Sequence, residues 1–222
     1  MSTNVIADPQ PVIADPIGNL SADGFAPAIA LWREWNAKIN VISRKDEENI
    51  YAHHILHSLA ILAYLEQGTV APEGQSPVTI LDLGTGGGFP GIPLAMMMPS
   101  AQFTLCDSIG KKVRVAQAVA EGLGLKNVTC VHSRVEDLPG TWDWVVSRAV
   151  TSLENLYPWV KGRYRRGILC LKGGDVESEI AALQKRFKVP ATNIRVWPIS
   201  EWLKDDPYYN EKYVVEISAQ AL

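Results

Sequence analysis

The sequence has 222 residues, a net charge of −3, and 47% hydrophobic against 20% charged residues. That length holds one α/β domain with a small appendage but not two large domains, and the mild acidity confines any nucleic-acid surface to local patches. No apolar run approaches the roughly eighteen residues that span a bilayer, and the start of the chain, with no Lys or Arg before Arg33, does not read as a secretory signal.

Residues 1–20 carry a duplicated pentapeptide, Val5-Ile6-Ala7-Asp8-Pro9 and Val12-Ile13-Ala14-Asp15-Pro16. Two copies are too few for a solenoid, so the segment reads as a loosely docked arm. Residues 21–77 read as a helical extension. Ile29, Leu31, Trp32 and Trp35 recur at helical spacing over 25–39, and a second helix is expected over 46–65 after the polar connection 40–45. Two glycines and two prolines then mark a break over 68–77.

From 78 to 222 the pattern becomes strands alternating with helices. Apolar runs at 78–83, 102–107, 128–132, 142–147 and 167–171 are separated by helical stretches that include 111–123, 153–163 and 175–188. Strands that are apolar throughout imply a parallel sheet covered on both faces. The last two runs, 194–197 and 212–218, are joined by a link without helical period and are expected to pair antiparallel. The fold class is therefore α/β, with a mostly parallel, seven-stranded, Rossmann-like sheet. Cys106, Cys130 and Cys170 fall inside strand runs with no metal-ligand spacing, as free thiols of a reducing cytoplasm do.

The chemistry concentrates after the first strand, in Leu81-Asp82-Leu83-Gly84-Thr85-Gly86-Gly87-Gly88-Phe89-Pro90-Gly91. Glycines let a ligand approach the backbone, and a helix start offers unpaired N–H groups. Gly84, Thr85, Gly86 and Gly88 form the candidate cradle. Asp107, with Ser108 behind it, ends the second strand where a carboxylate can accept ribose hydroxyls. Gly86-x-Gly88-x-x-Gly91 satisfies the dinucleotide fingerprint as well. Counted from the first glycine, however, the pattern is G-x-G-x-G, with Phe89 where that fingerprint wants its third glycine. This register favours S-adenosylmethionine over a dinucleotide.

Ile80 to Gly91, Asp107-Ser108-Ile109-Gly110-Lys111-Lys112, Ser133-Arg134-Val135-Glu136 and Ser147-Arg148-Ala149 together resemble the glucose-inhibited division protein B family. This is the ribosomal RNA small-subunit methyltransferase G family, which methylates guanine N7. Trp35-Asn36-x-Lys38-Ile39-Asn40 and His54-Ile55-Leu56-His57-Ser58 are similar to its N-terminal region, and the likeness spans about 31–174. The resemblance implies a class I S-adenosylmethionine-dependent methyltransferase, with cofactor contacts from Gly84 and Phe89, from Val135 and Glu136 near the adenine, and from Arg148. The family usually has Asp where this chain has His57, and Arg where it has His53. It implies a small-subunit ribosomal RNA partner and no membrane; a monomer is expected.

Around the acceptor, Ser147-Arg148-Ala149-Val150 lacks the Asn/Asp-Pro-Pro-aromatic run of amine methylation, and no cysteine follows the fourth strand to serve as a nucleophile. Guanine N7 needs no general base. Arg134, Arg148 and Lys172 sit at strand ends and are candidates to position RNA, guanine or the cofactor carboxylate. Lys38, Arg44, Lys45, His54, Lys111 and Lys112 are candidate RNA contacts, although each basic cluster also fits an ordinary solvated helix face. His53 and His57 share helical i, i+4 spacing, but no carboxylate or cysteine motif completes a metal site, and none is expected. Trp32, Trp142, Trp144 and Trp159 are expected in the core.

Overall fold

The computed structural model describes residues 21–67 and 77–219; the proposed arm at 1–20 and most of the glycine- and proline-marked break lie outside the described residues. The apolar runs form β1 (Thr79–Leu83), β2 (Gln102–Asp107), β3 (Val128–His132), β4 (Trp142–Arg148) and β5 (Tyr164–Gly173), then β6 (Ile194–Pro198) and β7 (Lys212–Ser218). Their order across the sheet is β3-β2-β1-β4-β5-β7-β6. The first five are parallel, and β7 runs antiparallel to both β5 and β6; the link between β6 and β7 holds two 3-10 turns and no crossover α-helix. The chain leaves β1 toward β2 and later returns to β4 on its other side. The strand order thus reverses between β1 and β4, and a crevice opens beyond their carboxyl ends.

Successive strand residues face opposite ways, so Ile80 and Leu81 belong to different cores. Ile80, Phe103, Leu105, Trp144 and Val146 pack under α1 (Ala26–Asn36), α2 (His57–Glu66), α3 (Gly91–Met97) and α4 (Gly110–Gly122). Leu81, Leu83, Val145 and Ile168 pack under α5 (Leu153–Val160) and α6 (Val176–Phe187). The N-terminal helices place Phe25, Trp32, Ile55 and Leu59 in the same cluster as the sheet residues. Fully buried side chains of this size contribute about 1.5–3 kcal/mol each, which fixes the extension on one face of the sheet.

Three elements differ from the sequence reading. The single helix expected over 46–65 is a 3-10 turn at Arg44–Asn49, a π-helical stretch at Ile50–Leu56 and then α2. Asp46 holds Asn49, His53 and His54, and the wider turn lets two adjacent histidines reach one carboxylate. Arg44 and Lys45 therefore begin a helical turn. The helix expected over 153–163 stops at Val160, because Gly162 adopts φ +79° and β5 already begins at Tyr164. Trp32, Trp142 and Trp144 are buried as expected, whereas Trp159 is half-buried. Cys106 and Cys170 are buried free thiols and Cys130 is half-buried. Among the described residues no helix is long and apolar enough to cross a membrane.

Candidate active site

The crevice begins where β1 ends. Gly84 has φ +70° and Gly86 φ +57°, the left-handed region that glycine tolerates. A Cβ on Gly84 would lie 2.3 Å from Val150 Cγ2, whereas the space over Gly86 is open to 4 Å. The N–H groups of Gly84 and Thr85 donate to the Cys106 carbonyl at 2.8 and 3.0 Å, and those of Gly88 and Phe89 to the Thr85 carbonyl at 2.9 Å each. Beneath the loop, buried Asp82 accepts from Thr85 Oγ1 at 2.6 Å and from the Gly91 N–H at 2.8 Å, both through Oδ2. Oδ1 has no partner among the described residues, and burial pushes this carboxyl up to about 7.

The extension reaches the same loop. The Trp32 indole N–H donates to the Gly87 carbonyl at 2.8 Å, and its ring stacks on Phe89 at 4.3 Å between centroids. Asn36 Oδ1 accepts from the Val41 and Ile42 N–H groups at 2.9 Å each, which seats Val41 against Gly87. Trp32 was legible as a core residue, but its bond to a backbone 55 positions away leaves no signal in the sequence.

One cavity, about 290 Å³, opens beside the loop, and its lining includes Gly84, Asp107, Ser108, Arg134, Val135 and Glu136, together with Lys112 and Trp159. Asp107 Oδ2 accepts from the Gly86 N–H at 2.9 Å and Oδ1 from the Ile109 N–H at 2.8 Å. Each oxygen keeps acceptor capacity, so the group is a fixed acceptor facing the cavity. The Val135–Asp137 turn is held from behind by Arg163, whose Nη1 donates to the Val135 and Leu138 carbonyls at 2.7 and 2.5 Å and whose Nη2 donates to the Glu136 carbonyl at 2.6 Å. Arg134 is exposed and 3.9 Å from Glu136, a contact that water screens.

A second cavity, about 470 Å³, shares Ala149 and Val150 with the first and is lined by His54, His57, Arg148, Lys172, Tyr208 and Lys212. Ala149 has φ +53°, uncommon for a residue with a Cβ, which costs about 1–2 kcal/mol. It turns the chain sharply after β4 and leaves Arg148 against Phe89, with the guanidinium 4.9 Å from the ring centre. Arg148 Nη2 is 2.9 Å from His54 Nδ1, and His54 Nε2 is 2.8 Å from Asp46 Oδ2. Burial, then the Arg148 charge, hold His54 down to about 4, so it is neutral. His57 is buried edge-on to Tyr208 and Tyr209, and its ring nitrogens have no hydrogen-bond partner among the described residues. Burial holds it well below the ordinary histidine range. Lys172 donates to the Thr151 carbonyl at 2.6 Å and pairs with Glu179 at 2.7 Å, so its charge is already matched. Burial pushes the Cys106 and Cys130 thiols up to about 11 and Cys170 to about 12, far from nucleophilic thiolates.

The structure thus brings together Gly84, Asp107, Ser108, Arg134, Val135 and Glu136 at one cavity, and Arg148, Lys172 and His54 at the other. Thr85, Gly86, Gly88 and Phe89 build the loop. Lys38 is tied to Glu34 at 2.7 Å and lies over Trp35. Arg44, Lys45 and Lys111 are exposed and line neither cavity, while Lys112 borders the first. Tyr208, from the patternless link before β7, and Lys212, the first residue of β7, were not anticipated as site residues. Neither was Arg163, which reads in sequence as one of a run of surface cations.

A family model described as rRNA small subunit methyltransferase G matches residues 26–198. Proteins named Ribosomal RNA small subunit methyltransferase G are similar to this chain. The one from Christiangramia forsetii is 44% identical over 193 residues, covering 83% of this chain and 84% of its own length. The one from Flavobacterium psychrophilum is 43% identical over 209 residues, with 90% and 91% covered. Among solved structures, a magnesium protoporphyrin IX methyltransferase from Synechocystis with bound SAM superposes with a TM-score of 0.59 at 17% identity, over 89% of this chain and 94% of that one, a likeness of fold.

Proposed function

We propose, because the chain belongs to the rRNA small subunit methyltransferase G family, that it transfers the methyl group of S-adenosylmethionine to N7 of a guanine in small-subunit ribosomal RNA. The observation that carries this reading is the pair of cavities meeting at Ala149 and Val150, one presenting Asp107 and Glu136 and the other Arg148 and Lys212. Acceptors on one side suit a ribose and an adenine amine; donors on the other suit guanine O6 and phosphate.

The residues fit the cofactor. The space over Gly86 is free, the Asp107 oxygens keep spare acceptor capacity, and Val135 and Trp159 supply apolar walls. In this reading Gly84, Thr85, Gly86, Gly88 and Phe89 cradle the methionine end. Asp107 and Ser108 take the ribose, and Val135 and Glu136 flank the adenine. S-adenosylmethionine supplies an already activated sulfonium methyl. Guanine N7 offers its lone pair without losing a proton, so the chain needs no general base. Neutral His54 and His57, matched Lys172 and protonated thiols agree with that requirement. Arg148 orients the base, with Lys172 and Arg134 shaping the cationic rim; alignment of this kind supplies on the order of several kcal/mol. Lys38, Arg44, Lys45, Lys111 and Lys112 take phosphates.

The protein acts in the cytoplasm as a monomer in this reading. Residues 78–222 form the catalytic domain, and 21–77 form an extension that clamps the cofactor loop. The test is transfer of labelled methyl to small subunits and to naked ribosomal RNA, followed by nucleotide mapping. Label at a single guanine N7, lost in Arg148→Ala with the fold retained, is the expected result. Label at another atom, or wild-type turnover in that variant, rejects the reading.

A further inference from the structure

We infer that Asp46 and His54 are positioning residues that aim Arg148 at the acceptor cavity, by holding the His54 ring in the one tautomer whose Nδ1 accepts from the guanidinium. A guanidinium carries only donors. With Arg148 Nη2 at 2.9 Å, His54 Nδ1 must be the bare nitrogen and the ring proton must sit on Nε2. There it meets Asp46 Oδ2 at 2.8 Å, a carboxylate that only accepts. The other Asp46 oxygen is held by His53 Nδ1 at 2.6 Å and Asn49 Nδ2 at 3.1 Å, so the carboxylate cannot swing away. Moving the proton to Nδ1 would set two donors face to face. Burial, the Arg148 charge and the neighbouring His53 all disfavour a doubly protonated ring, against the pull of Asp46.

Without this acceptor Arg148 keeps little that fixes its direction. Its Nη1 contact to the His53 carbonyl is long, 3.4 Å, and the Phe89 ring allows sliding. The relay arises on the 3-10 and π-helical turns of the extension, whereas Arg148 ends β4. Two segments separated by some 94 positions thus converge on one side chain at the wall of the acceptor cavity.

The inference rests on the methyl-transfer reading for its readout, and two isosteric variants dissect it. The side-chain oxygen of Asn falls where Nδ1 lies, so H54N keeps the acceptor for Arg148 but loses Asp46. The side-chain amide nitrogen of Gln reaches the Nε2 position, so H54Q keeps Asp46 but loses the acceptor. Single-turnover methylation of small subunits is expected to give H54N a rate at least tenfold above H54Q, the scale of one hydrogen bond to a charged group. The loss should fall in the rate constant rather than in KM for RNA, and the Kd for S-adenosylmethionine should stay within threefold of wild type. A merely structural histidine would make both variants follow their melting temperatures. Equal rates, or H54Q above H54N, overturn the inference. Should either variant not melt cooperatively, D46N, which keeps an acceptor for Nε2–H, is compared with D46A; a ratio below about fivefold overturns it equally, on the same hydrogen-bond scale. Wild-type protein that methylates nothing refutes the underlying reading instead.

Discussion

Replacing Arg163 by Ala removes no atom from either cavity, yet it should weaken cofactor binding. The guanidinium holds three carbonyls of the 135–138 segment, two of the bonds being partly buried and the third exposed. A bond from a charged donor contributes about 1.5–3 kcal/mol when water cannot replace it. Taking the lower value for the two partly buried bonds and nothing for the exposed one gives about 3 kcal/mol of order in the turn that carries Val135 and Glu136. In the variant the ligand must order that turn itself. At 1.4 kcal/mol per decade, the Kd for S-adenosylmethionine should rise by about 100-fold. Isothermal titration measures it directly, while kcat at saturating cofactor should fall far less, because Arg148 and its partners lie elsewhere. Arg163→Lys should recover only part of the loss, since one ammonium cannot reproduce a planar fork on three acceptors. A Kd within twofold of wild type for Arg163→Ala would refute the reasoning.

Gly84→Ala should abolish cofactor binding in a folded protein, because the new methyl meets Val150 at 2.3 Å in a backbone at φ +70°; titration giving a wild-type Kd would contradict the assigned cradle. Trp32→Phe keeps the stack on Phe89 but orphans the Gly87 carbonyl, at a cost of about 1–3 kcal/mol. It should lower the melting temperature and raise the cofactor Kd together, and a change in neither would show that the indole bond is idle. Asp82→Asn bears on pH. Folded Asp82 keeps its proton up to about 7, against 3.8 for an unperturbed carboxyl, so its contribution to stability is greatest below 3.8 and falls as pH rises to about 7. The amide does not titrate, so the stability of the variant relative to wild type should climb across that window, by on the order of 4 kcal/mol in total; denaturant titrations giving a flat difference would reject it.

The sheet was legible because buried parallel strands are apolar on both faces, so β1 and β4 show their limits in sequence to within one residue. The glycine loop and Asp107 were legible because backbone approach and a strand-end carboxylate require specific residue types at fixed spacing. The Arg44–Leu56 region was not, since apolar spacing cannot distinguish α from π geometry when side-chain bonds to Asp46 decide it. Arg163 and Trp32 escaped for a related reason. Each acts on backbone carbonyls far along the chain, and a carbonyl carries no residue identity. Lys172 shows the converse, in that its place at the cavity was readable from the end of β5 but its partner Glu179, on α6, was not.

The antiparallel return of β7 divides labour along the chain. Side chains bordering the first cavity come from segments up to Trp159, whereas the second is also bordered by Tyr208, from the loop between the two final strands, and by Lys212, the first residue of β7. Ile199 and Tyr209 anchor that loop in the core, so its exposed positions are the ones that can change without disturbing the grip on the methyl donor. Diversification of which nucleotide is recognised therefore has a separate hinge point from the retention of the donor, and grafting 199–211 between relatives is the natural unit of exchange.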